Sequence, residues 1–69
     1  MVRFIHLTTV DPETAEHVPS MYQVARIVGL IQDDDRVIIN VDGDFIVVTD
    51  TLQEIQTKIY TAMHSQNMI

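Results

Sequence analysis

Three histidines, a run of aspartates and two tyrosines are the side chains with chemical reach in this 69-residue chain, which has no cysteine. An imidazole acts as a base or a metal ligand when a second ligand or a carboxylate stands at a fixed spacing from it. His6, His17 and His64 lie in an apolar stretch, in a turn-rich stretch and near the C-terminal end, and they share no such spacing. Asp33, Asp34 and Asp35, with Asp42 and Asp44, have the oxygen chemistry of hard-cation ligands. They depart from the calcium-binding loop pattern, which needs alternating ligands, a central glycine and a closing glutamate. Aspartates beside turns more simply solvate the turn and bond its backbone amides. Gly29 and Gly43 build no phosphate-cradling loop, and Tyr22 and Tyr60 suit an interface or the edge of a core better than a reaction. These residue types predict no catalytic group, no metal site and no cofactor, and so a protein that is not an enzyme.

Charge narrows the partners. Ten acidic residues against four basic ones give a formal charge of −6, the wrong sign for direct binding to nucleic acid or to an anionic membrane surface. The same acidity allows a different reading, a small inhibitor of phage type whose carboxylates imitate a nucleic-acid backbone and block a host enzyme. That reading needs carboxylates in rows on one surface, whereas here they gather at turns. No apolar run approaches the roughly 18 residues of a membrane helix, so no membrane insertion is expected. The apolar N-terminal stretch is shorter than that of a secretory signal, and the cytoplasm is the expected compartment. Residues 1–69 read as one small domain, which without disulfides depends on tight packing or on a partner copy.

The elements that position these residues follow from local pattern. Residues 2–8 are rich in β-branched and aromatic types and predict a strand, and residues 9–16 contain Asp11, Pro12, Glu13 and Thr14 and predict a loop. Val18 to Ser20 forms a short extended piece, because a proline drives its predecessor out of the helical region. Residues 21–32 admit two readings. Met21, Val24, Ala25, Val28 and Ile31 fit a helical stripe, with Ser20 and Gln23 at capping-box spacing. Against that stand the β-branched run, the internal Gly29 and the lead through an aspartate cluster into another strand, which favour a strand.

The remainder is more sharply marked. Val37 to Val41 and Phe45 to Thr49 flank Asp42 and Gly43, the dipeptide suited to a two-residue type I′ hairpin turn. This turn pairs Val41 with Asp44, Asn40 with Phe45, Ile39 with Ile46, Ile38 with Val47 and Val37 with Val48. Thr51 and Glu54 have capping-box spacing, and Leu52, Ile55, Ile59 and Met63 then recur at helical spacing, so an amphipathic helix follows. The expected fold is α+β: a small antiparallel sheet of three or four strands, built on a central β-hairpin, with one C-terminal helix.

Side chains alternate across a strand, and both faces of this hairpin are apolar. One carries Val37, Ile39, Val41, Ile46 and Val48; the other carries Ile38, Phe45 and Val47, with Asn40 as its polar member. One helix covers one face. Leaving three large apolar side chains wet forgoes several kcal/mol, at roughly 1.5 to 3 kcal/mol for each one fully buried. The expected solution is a homo-oligomer, with cover by the 9–20 loop, or by a helix at 21–32, as the alternative. The expected contact residues are Ile38, Phe45 and Val47, with Tyr60, Met63, Met68 and Ile69 as further candidates; methionine-rich surfaces adapt to partners.

From Ile27 to Ile59 the chain resembles the FlbD family of small flagellar and swarming-motility proteins. The shared pattern is an apolar strand (Ile27 to Ile31), an acidic turn (Asp33 to Asp35), a second strand (Val37 to Val41), a hairpin dipeptide (Asp42, Gly43), an Ile46 to Val48 strand, the Asp50–Thr51 pair and a helix from Leu52 to Ile59. The resemblance covers about half of the chain. It implies a noncatalytic, motility-related cytoplasmic protein that acts through contacts with an unknown protein partner, and it favours the strand reading of 21–32.

Overall fold

The computed structural model describes residues 2–64. The chain runs through strands β1 (Phe4–Val10), β2 (His17–Gln23), β3 (Ile27–Asp33), β4 (Arg36–Val41) and β5 (Asp44–Val48) into helix α1 (Leu52–His64). It is an α+β fold with one sheet, ordered β2-β1-β5-β4-β3, in which every neighbouring pair is antiparallel. The sheet has five strands where the sequence suggests three or four. The extra strands come from its least locally marked part. β1 continues to Val10 before the turn, the short piece around Pro19 grows into the seven-residue β2, and residues 21–32 divide between the end of β2, a 3-10 turn at Val24–Arg26 and most of β3.

The order places β2 and β3, consecutive in the chain, at opposite margins of the sheet. Four flat inter-strand spacings would separate those margins by about 19 Å, whereas the four Cα steps from Gln23 to Ile27 span at most about 14 Å. The sheet is therefore curled, with its margins drawn together at the connector. The Val24 N–H donates to Arg3 O at 2.9 Å on one side of the connector, and the Asp42 N–H donates to Arg26 O at 3.1 Å on the other. Among the described residues only Thr9 and Val48 pair between β1 and β5, and a Thr49 N–H to Thr8 O bond of 2.9 Å stands beside that pair.

Inside the curl lie Ile5 and Leu7 from β1, Val37 and Ile39 from β4, and Val48 from β5, all buried. Helix α1 closes this inner face against β1 and β3 and inserts Ile55, which like Ile39 has no exposed surface. Leu52, Ile59 and Ala62 pack around it. Ala62 takes the inner position that the periodicity also offers to Met63, whose side chain is 53% exposed. Both residues fit an i, i+3/i+4 stripe, and it is Ala62 that packs against the core.

The hairpin has all five predicted cross-strand pairs. Its turn residues Asp42 and Gly43 have φ of 54° and 97°, as a type I′ turn requires. The helix start closes as a capping box, with Thr51 N–H donating to Glu54 Oε1 at 2.8 Å and Glu54 N–H to Thr51 Oγ1 at 3.1 Å. At the β2 margin, Pro19 faces Thr8. The Thr8 backbone is engaged on the opposite side, by Asp50 and Thr49. Antiparallel alternation therefore turns the Pro19 nitrogen outward, where it presents no donor and blunts that margin.

Candidate interaction surface

With the inner face filled, the outer face of the β3–β4–β5 meander decides what the molecule presents. Register aligns Ile31 of β3, Ile38 of β4 and Val47 of β5 in one row across three strands. The neighbouring row is Gly29, Asn40 and Phe45. Ile38 and Val47 are half-buried, Ile31 is 41% exposed and Phe45 is 65% exposed. The structure thus brings together the three hairpin residues singled out from sequence and adds Ile31. Sequence missed Ile31 because its face is set by the tight turn at Asp34 and Asp35, which pairs Asp33 with Arg36 and, with Asp34 at a left-handed φ of 60°, contains no glycine to mark it.

The turn between β1 and β2 supplies part of the intramolecular cover that was the alternative to assembly. Asp11 Oδ1 accepts the Glu13 N–H at 2.8 Å and the Thr14 N–H at 3.3 Å, and Ala15 takes a left-handed φ of 60°. This ordered turn brings Pro12 and Ala15 beside Phe45 and Val47, and together they line an open groove of about 520 Å³ that Val10 and Arg36 complete. The cover is incomplete, since Phe45 remains mostly exposed at its edge.

Tyr60, 66% exposed, and Met63 lie on α1, which packs on the inner side of the sheet, so they do not join Ile38, Phe45 and Val47 in one patch. The Tyr60 ring rests 4.2 Å from that of His64. Met68 and Ile69 lie outside the described residues. A second groove, of about 440 Å³, runs between Phe4 and His6 on β1 and Thr57, Lys58, Thr61 and Ala62 on α1. Beside it the Lys58 ammonium donates to His6 O at 2.8 Å and to Asp50 Oδ2 at 2.9 Å.

The acidic residues are spread over the ends of the strands. Asp42 pairs with Arg26 at 2.9 Å, Asp33 with Arg36 at 3.0 Å and Asp50 with Lys58, while Asp11 and Glu54 hold backbone amides. The first two pairs are exposed and contribute little. Asp50 is mostly buried. Burial raises its pKa, but the Thr8 N–H, the Lys58 hydrogen bond and the Lys58 charge together outweigh that and hold the carboxyl below the ordinary aspartate value. His6, His17 and His64 stand on β1, at the start of β2 and at the end of α1. Among the described residues no three histidine, aspartate or glutamate side chains are grouped so as to hold a metal ion, and no helix is long and apolar enough to cross a membrane. No protein-family model, curated protein or solved structure matches the chain.

Proposed function

We propose that this is a noncatalytic binding protein that acts by protein–protein contact, with a second copy of itself among its partners, through the outer face of the β3–β4–β5 meander. The observation that supports this most is the row Ile31, Ile38 and Val47 with Phe45 beside it, on a sheet whose core already occupies the other face. Apolar side chains clustered on a rigid sheet have no catalytic use here and gain free energy by leaving water. The likeness of residues 27–59 to the FlbD pattern gives the proposal its finer form, a cytoplasmic, motility-related adaptor. Against the nucleic-acid mimic stands the distribution of the carboxylates, several of which are already paired or capping within the chain.

Sedimentation and light scattering test the proposal. At tens to hundreds of micromolar, the wild-type chain is expected to sediment as a species heavier than 7.9 kDa. Phe45→Asp is expected to shift it toward that mass, because a charge would enter a contact that buries the ring. An unchanged profile for Phe45→Asp would remove this face from the contact, and a wild type that stays at 7.9 kDa throughout would reject self-association.

A further inference from the structure

We propose that copies of the chain also meet at a second contact, separate from the outer face: edge to edge along β3, antiparallel, so that two five-stranded sheets run on as one. The inference rests on the self-associating reading above and adds the edge that makes the junction. β3 is one margin of the sheet, the other being β2 with its outward Pro19. In a two-residue hairpin the residues flanking the turn, here Val41 and Asp44, form a hydrogen-bonded pair. Alternation then turns the backbone of Ile38 and Asn40 toward β3, where they meet Ile31 and Gly29. The N–H and C=O groups of Leu30 and Gln32 consequently point off the margin. From Ile27 to Gln32 this edge has no charge and no proline, the usual devices that keep a strand from pairing with another chain. The bulge next to Val28 shortens the pairable stretch without closing it.

Charge selects the direction and the occupant. Arg26 directly precedes the strand, and Asp33, Asp34 and Asp35 close it. A parallel copy would set acid beside acid. An antiparallel copy with Leu30 facing Leu30 brings the end of each strand at Arg26, which also pairs with Asp42 of its own chain, toward the Asp33–Asp35 end of the other, once at each end of the contact. The edge is therefore complementary to itself in sign as well as in backbone pattern. The same arrangement brings Ile31, the outermost member of the apolar row, next to the second copy, so the two rows merge into one wider face. The contact is short, which places it among weak, reversible interfaces.

Reversing one charge at a time provides the test, because each variant repels itself and attracts the other. Arg26→Glu and Asp34→Lys are both at exposed positions. A cooperative thermal transition in each establishes that it is folded. Sedimentation in about 50 mM salt keeps screening low. Each variant alone is expected to self-associate about tenfold more weakly than wild type, and their equimolar mixture to recover to within about threefold. In the mixed pair the carboxylate introduced at position 26 meets the ammonium introduced at position 34, and at the other end Arg26 meets Asp34. Folded variants that each assemble like wild type, or a mixture as weak as its components, would overturn the β3 junction and leave self-association through the outer face standing. A wild-type chain that is monomeric throughout would overturn both.

Discussion

Asp50 is the residue on which the junction between the end of the sheet and the helix turns. Its two oxygens have separate partners. Oδ1 accepts the Thr8 N–H at 2.9 Å, and Oδ2 receives the Lys58 ammonium, which also caps His6 O. Groups from β1, the β5–α1 junction and α1 thus meet at one carboxylate. Because its folded pKa lies below the ordinary value of 3.8, the charged form contributes stability at neutral pH. That contribution is fully present above the unfolded value and is lost as pH falls through the lower folded value. Asp50→Asn is therefore expected to cost about 1 to 2 kcal/mol at pH 7, the range of a hydrogen bond to a charged group discounted for the partly exposed lysine. The gap between its melting curves and those of wild type should begin to close as pH falls below about 3.8 and go on closing as the folded carboxyl takes up its proton. A gap that stays constant down to about pH 2.5, well below the ordinary aspartate range, would show that the charge is not what matters.

At the scale of elements, what was legible in sequence was the chemistry confined to a few neighbouring residues. Asp42 and Gly43 specify a turn, and a two-residue turn fixes every pair of the hairpin, so the inner and outer faces follow. Thr51 and Glu54 likewise specify the helix start; Thr51→Ala is expected to lower stability by about 1 kcal/mol, measured by chemical denaturation, with the helix otherwise intact. β2 and β3 were less legible because pairing, more than local pattern, makes them strands. The same apolar residues at 21–32 satisfy a helical stripe, and only pairing with β1 on one side and β4 on the other draws the segment out. The contact surface divides along the same line. Ile38, Phe45 and Val47 were readable from hairpin alternation alone, whereas the place of Ile31 waits on the β3–β4 turn that pairs Asp33 with Arg36 and that of Pro12 and Ala15 on the fold of the β1–β2 turn.

At the scale of the molecule, the β1–β2 hairpin and the β3–β4–β5 meander are joined along the sheet by the Thr9–Val48 pair and its adjoining bond, and in sequence by the 3-10 connector. Such a seam predicts two cooperative units. Native-state hydrogen exchange is expected to open the amides of Ile5 and Leu7 at lower free energy than those of Ile39 and Val37, whereas one common opening for all four would mean that the seam is as strong as the strands. Pro19 has a consequence of another kind. A sheet able to grow at both margins can add copies without limit and become a filament. Here Pro19 removes one outward donor from the middle of the β2 margin, so a pair formed along β3 leaves only the poorer margin open, and lateral growth of the sheet beyond two copies is disfavoured.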